Sequence, residues 1–156
     1  MPIDVTQPPD NQQFPTFPAA LRAILTQINN SYAVVPIQFE KAGVLAVAMD
    51  VSPQKLIQID LNEPPVILAI VAHVKTAPAT QPVIVDVNKN GVSVFTNQAN
   101  RPTIAVGQNL SAEMLPDVTA LGQNDVLTID IDQVGVGPAG SDLVVAIRTK
   151  VGTVYA

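Results

Sequence analysis

The sequence predicts an all-β protein, an antiparallel β-sandwich of the jelly-roll or Greek-key kind that follows an N-terminal extended arm and one short α-helix. Three observations predict this fold class. Short runs of β-branched and alternating residues recur after Tyr32, turn-forming residues separate them, and no helical spacing of apolar residues lies between them. We therefore divide the chain into an arm at residues 1–18, a helix at 19–32 and a sandwich domain at 33–156.

The first segment is predicted to be extended because it is rich in proline. Proline fixes φ and lacks an N–H donor, so such a density excludes a helix and interrupts strand pairing. Phe14 and Phe17 lie in this otherwise polar stretch. Two aromatic side chains there indicate a contact, either with the domain that follows or with a neighbouring protein, and the sequence leaves both open.

The second segment has the spacing of an amphipathic helix. Pro18 suits a first helical turn, and the apolar residues that follow fall at i, i+3, i+4 and i+7, namely Leu21, Ile24, Leu25 and Ile28. A helix this short is marginal alone, so its stripe must pack on its own sheet or associate with other copies. We take the stripe, together with Phe14 and Phe17, as candidate partner-binding residues.

The remaining chain is predicted to consist of strands and turns. A surface loop at 109–120, with one helical turn at 111–114, interrupts the series. The predicted strands are 34–39, 44–49, 56–61, 66–74, a hairpin within 83–95, and then 103–106, 126–134, 143–151 and 153–155.

The hairpin is the feature around which the domain is organised. Val83, Val85 and Val87 alternate with Ile84, Asp86 and Asn88, and Asn90-Gly91 suits a tight turn that needs positive φ. The same run begins like a calcium-binding loop, with Asp86, Asn88 and Asn90 at the first, third and fifth positions. The twelfth position, however, is Asn97 rather than a bidentate Glu, and no helices flank the run, so we favour the hairpin.

Composition argues against several functional classes. The net charge of −5, with eight scattered Lys and Arg residues, argues against nucleic-acid binding. No secretory signal or membrane-spanning run is recognisable. The absence of Cys excludes disulfides and thiol chemistry. Charged residues make up only 13% of the chain, which suggests that part of the surface is covered by other protein.

Candidate catalytic residues are few, and we expect neither an enzyme nor a cofactor. His73 is the only histidine, and the sequence offers it no nucleophile or orienting acid, so we interpret it as a partly buried structural residue or an interface polar group. Its strand pattern places it on one face with Ile67, Ala69 and Val71. Asp130 and Asp132 share a strand face opposite Leu127, Ile129 and Ile131. With Asp86, Asp125 and Asp142 they could form a calcium site or a carboxylate pair for glycoside hydrolysis; the alternative, which we favour, is a solvated strand face with acidic turn residues.

Several segments together resemble a β-sandwich module of tailed-bacteriophage virion proteins. The resemblance runs from about Val66 to Ile147, and its motifs are turns and alternating strands rather than a site. The segments that carry it are residues 85–91 with Phe95, then 100–104, 117–121, 125–135 and 140–143.

The resemblance implies a virion protein without catalytic residues. In that family the module occurs in tail fibres and minor tail proteins, whereas a short chain with its own arm and sandwich is similar to capsid decoration, or cement, proteins. We therefore expect a homotrimer on the outer capsid surface that binds the major capsid protein lattice and neither nucleic acid nor membrane. The alternative is a carbohydrate-binding or structural module of a tail fibre or baseplate, for which Tyr32, Phe39, Phe95 and Tyr155 are the candidate aromatics.

Overall fold

The strands of the computed structural model form two antiparallel sheets. The structure describes residues 33–58 and 64–151. These residues include one 3-10 helix, Gln98–Asn100. The strands in chain order are β1 (Ala33–Val44), β2 (Lys55–Leu56), β3 (Val66–Thr76), β4 (Val83–Lys89), β5 (Val92–Ser93), β6 (Thr103–Ile104), β7 (Val126–Gln133) and β8 (Ser141–Val151).

The two sheets divide the strands unequally. One has three strands in the order β1-β8-β3, and the other has five, in the order β2-β7-β4-β5 with β6 also paired to β4. Alternate residues of each sheet enter a shared hydrophobic core, where Phe39 of β1 and Phe95 after β5 are 1% and 0% exposed. The predicted all-β sandwich is confirmed.

The central hairpin is also confirmed. Asn90 and Gly91 join β4 to β5 with φ values of 53° and 79°, the left-handed conformation that Asn and Gly adopt most readily. Val94 enters the core, whereas Val92 lies next to the turn and is 70% exposed.

The predicted strand at 44–49 is wrong. β1 continues to Val44 across a register irregularity between Lys41 and Val44, and the chain then crosses to the other sheet. There it runs along the edge of β7 with one isolated bridge, Ala48 to Ile131, and a hydrogen bond from the Val51 N–H to the Ile129 carbonyl. The predicted strand at 56–61 begins at Lys55 and ends at Leu56 in the described part.

The predicted helical turn at 111–114 is also wrong. This stretch is extended along the free edge of β3, because its backbone exchanges hydrogen bonds with that strand. Ser111 bonds to Ala72 and Met114 bonds to Ile70, each at 2.8–2.9 Å. The backbone N–H and C=O groups that would have bonded within a helical turn bond instead to the edge strand of the sheet.

The strand face assigned to His73 needs one correction. A register shift between Ile67 and Ala69 turns Ile67 toward the core, where it is 1% exposed. Ala69, Val71 and His73 instead pair with the β8 residues that lie on the sheet face away from the core. His73 itself is exposed rather than partly buried.

The predicted arm, the predicted helix and the predicted strand at 153–155 lie outside the described residues. So do all six candidate partner-binding residues, Phe14, Phe17, Leu21, Ile24, Leu25 and Ile28. In the described ranges, no helix has the length and apolar character needed to cross a membrane.

Candidate functional site

The outer face of the five-stranded sheet brings the predicted acidic residues together. Asp86 of β4 lies directly opposite Asp130 of β7, and Asp132 follows two residues further along β7. The opposite face of β7 carries Leu127, Ile129 and Ile131, each at most 1% exposed. The predicted separation of carboxylates from the core is therefore confirmed.

Each of these carboxylates is bound by donors from the protein itself. Asp130 accepts hydrogen bonds from Asn88 Nδ2 at 2.7 Å and from the backbone N–H of Asp50 at 2.8 Å. Asp132 pairs with the guanidinium of Arg101. The carboxylates therefore tie the edge segment near Asp50 and the loop before β6 to the sheet.

Asp86 is the most enclosed of the three. It is 6% exposed and accepts hydrogen bonds from Ser93 Oγ and from the N–H of Val87, both at 2.8 Å. Burial raises the pKa of this carboxyl above its usual value, and the charge of Asp132 adds to the rise, although the two hydrogen bonds and Arg101 oppose it.

A second polar cluster lies at the hairpin turn. Asp125 accepts hydrogen bonds from the Gly122 N–H at 2.6 Å and from Asn90 Nδ2 at 2.7 Å, and Lys89 Nζ is 3.6 Å away. These hydrogen bonds, followed by the charge of Lys89, hold the pKa of Asp125 below its usual value. Asn90 also accepts from the Val126 N–H at 2.8 Å.

The donor set does not fit a calcium site. The side chains at the calcium-like positions Asp86, Asn88 and Asn90 are engaged with Ser93, Asp130 and Asp125. Across the described residues, no group of three or more His, Asp or Glu side chains is arranged to hold a metal ion. Within the same residues, every buried side-chain N or O atom has a hydrogen-bond partner. The hypothesis of calcium at Asp86, Asp130 and Asp132 is therefore not supported.

The described aromatic residues give no platform for a sugar ring. Phe39 and Phe95 are both in the core, and Tyr32 and Tyr155 lie outside the described residues. A shallow depression of about 130 Å³, lined by Glu40, Lys41, Asp142 and Val144 among others, is smaller than the 300–1,000 Å³ usual for small-molecule sites.

A different surface is formed by four loops at one end of the sandwich, residues 44–47, 77–82, 105–108 and 134–140. None of their residues is charged. Val44, Val47 and Val136 are 75%, 63% and 66% exposed, and Val106 is exposed as well. We call this surface the uncharged end; charged residues occur beside it, at Lys41, Lys75 and Asp142.

Backbone hydrogen bonds join the loops of the uncharged end to one another. The Ala79 N–H donates to the Pro138 carbonyl at 2.9 Å, the Gly107 N–H donates to the Pro78 carbonyl at 3.0 Å, and the Leu45 N–H donates to the Gly140 carbonyl at 3.0 Å. These hydrogen bonds connect all four loops and hold them in one arrangement relative to one another. The sequence contained a signal for this surface, the absence of charge from four separate loops, but only the strand order shows that they meet.

Comparisons with protein-family models, with curated proteins and with solved structures found no match for this chain.

Proposed function

We propose that this chain is a non-enzymatic structural protein of a tailed-bacteriophage virion, a capsid decoration protein. It binds the assembled lattice of the major capsid protein on the outer capsid surface, as a homotrimer, and stabilises that lattice. A protein that binds only the assembled shell shifts the assembly equilibrium by mass action, in proportion to the area that it buries.

One observation carries the proposal: three of the segments that resemble phage virion modules are neighbours in the five-stranded sheet, while 117–121 and 140–143 lie along β3 and at the start of β8 of the other sheet. Residues 85–89 lie in β4, 103–104 form β6 beside it, and 126–133 form β7 on its other side. Side chains join the same segments, since Arg101 pairs with Asp132 and Asn90 bonds to Asp125. These three segments therefore form one connected structural unit, which supports the proposal.

The described surface supports attachment to protein rather than to sugar. The acidic residues of the five-stranded sheet are occupied by internal partners, and the described phenylalanines are buried. For this reason we do not put forward the carbohydrate-binding alternative as a second function. On the proposed function, residues 1–18 reach an adjacent capsid subunit through Phe14 and Phe17.

Co-sedimentation with capsids tests the proposal. The full chain and a full-length F14S/F17S variant are mixed with capsids of the encoding phage that lack the protein, and bound copies are counted per shell. We expect saturable binding of the full chain and higher thermal stability of the decorated shell. For the variant we expect an apparent Kd raised at least about tenfold, since truncating an aromatic hot-spot residue costs about 2 kcal/mol or more.

Two outcomes contradict different parts of the proposal. No binding of the full chain to the shell would overturn the decoration function. Equal occupancy of the F14S/F17S variant would overturn the role of the arm. A full-length V92S variant, altered at an exposed hairpin position, is the matched control and is expected to bind like the unaltered chain.

A further inference from the structure

We infer that the uncharged end, residues 44–47, 77–82, 105–108 and 134–140, is the surface through which two copies of this chain meet. The inference deepens the proposed function, because it names the contact behind the self-association that the proposal includes. Four observations carry it: the distribution of charge, the exposed apolar area, the bracing of the loops and the blocked edge of β1.

The charge distribution favours this end over the outer face of the five-stranded sheet. The chain carries a net charge of −5, so copies repel one another at long range. The outer face of the five-stranded sheet adds Asp130 and Asp132, of which Asp132 is paired with Arg101, and bringing like charges together there would be unfavourable. The four loops contain no charge, so two copies can meet there without placing like charges in contact.

Symmetry strengthens the same point. Homo-oligomers are mostly closed and rotationally symmetric, so residues near the axis face their own counterparts in the next copy. A charged residue in that position faces a like charge. Val47 and Val136, both largely exposed, face only another apolar side chain. Charge depletion at the centre with charged residues beside it, here Lys41, Lys75 and Asp142, is the usual composition of a protein interface.

The loops are also fixed before any partner arrives. Besides the backbone bonds described above, Thr80 Oγ1 donates to the Val136 carbonyl at 3.1 Å, and the Val136 N–H donates to the Ala79 carbonyl at 3.2 Å. Loops that become ordered only on binding lose conformational entropy, which reduces affinity. A surface whose loops are already connected by hydrogen bonds avoids that loss.

The open edge of β1 is a poorer site for a second copy. The Glu40 N–H donates to Ser52 Oγ, away from β8, so even-numbered residues of β1 direct their N–H groups to the open side. Pro36 lies at one of these positions and has no N–H to donate. Proline on an edge strand opposes the addition of another strand.

Solution mass tests the inference with substitutions in the full chain. V47E/V136E adds charge to the uncharged end, whereas V92E adds charge to an equally exposed valine in the hairpin at the opposite end of β4. By light scattering we expect the unaltered chain and V92E to have a mass at least twice the 16.4 kDa of one chain. We expect V47E/V136E to dissociate, with an apparent Kd raised at least about tenfold.

A second variant guards against misfolding. V47S/V136S removes the apolar area without adding charge, and far-ultraviolet circular dichroism of every variant checks the fold. Weaker association of both double variants, with unchanged spectra, supports the inference. It is overturned if the unaltered chain is monomeric, if V47E/V136E keeps the mass of the unaltered chain, or if V92E dissociates equally.

The solution mass and the co-sedimentation with capsids can give independent outcomes. A monomer that still decorates capsids would overturn the inference and the homotrimer part of the proposal, and would leave the binding to the capsid lattice standing. An oligomer that meets through the uncharged end but binds no shell would do the reverse.

Discussion

Asp86 is a buried carboxylate directly across from a second one, Asp130, and its environment raises its pKa. The sign of its effect on stability follows from that direction. A carboxyl whose folded-state pKa lies above its unfolded value lowers the stability of the fold when ionised. The penalty is present above the folded-state pKa and disappears as the pH falls toward the unfolded value.

Replacing Asp86 by Asn should therefore stabilise the protein at neutral pH relative to the unaltered chain. The Asn side-chain oxygen can still accept the bonds from Ser93 and Val87, while the buried charge is gone. The gain should shrink as the pH is lowered toward 4. Thermal unfolding of both proteins across this range measures it.

Asp125 provides a control of opposite sign. Its pKa is lowered, so its ionised form contributes stability that is present above the unfolded pKa and lost as the pH falls through the folded-state pKa. D125N should therefore be less stable than the unaltered chain at neutral pH, with a difference that closes in acid. A D86N variant whose relative stability does not vary with pH would contradict this account of Asp86.

At the scale of elements, the segment 110–120 protects the edge of β3. It makes isolated bridges to β3 at Leu110, Met114 and Ala120, and Glu113 forms a two-bond ion pair with Arg148 of β8, at 3.0 Å for each bond. Ser111 is the buried anchor: its Oγ accepts from the Ala72 N–H at 2.9 Å and donates to the Ala112 carbonyl at 2.8 Å.

Substitution S111A should lower the free energy of unfolding by about 1–3 kcal/mol, because it leaves the buried Ala72 N–H without a partner. Urea denaturation measures this loss, and hydrogen exchange at the Ala72 amide should become faster. The matched control is S141A, at a hydroxyl that bonds to Thr76 Oγ1 near the surface, where water can replace the lost bond. A loss for S111A no larger than that for S141A would show that the segment is not anchored there.

Elements were predictable from the sequence where side-chain alternation and turn residues agree. β3, β4, β7 and β8 and the Asn90-Gly91 turn follow from those local patterns. The exceptions have a common physical cause, since each depends on a distant strand. The extended stretch at 111–114 is set by the edge of β3, and the face occupied by Ile67 is set by a bulge against β8. Neither partner is visible in a local window of sequence.

Acidic residues and the uncharged end occupy different parts of the described surface, and this distribution determines how self-association responds to salt. Long-range repulsion between acidic copies is screened at high ionic strength, whereas contact between uncharged loops is not weakened. Self-association of the full chain should therefore be unchanged or tighter in 0.5 M than in 0.05 M sodium chloride. Sedimentation equilibrium at the two concentrations measures it, and clearly weaker association at high salt would show that ion pairs hold the copies together.

The candidate surfaces were only partly predictable at this scale. Alternation along β7 was enough to place Asp130 and Asp132 together on one face. Their internal partners were not predictable, because Asn88, Asp50 and Arg101 reach them from other parts of the chain. The uncharged end required the strand order as well, since it collects loops from both sheets.

The hairpin turn at the other end of β4 has a practical use that follows from its geometry. A side chain added at Gly91 would meet no atom within 4 Å, and the turn lies at the opposite end of the domain from Val136. Loop tips of this kind tolerate added sequence better than other positions. If two copies meet through the uncharged end as inferred, a short peptide inserted after Gly91 would be displayed on the side of each copy that faces away from the contact.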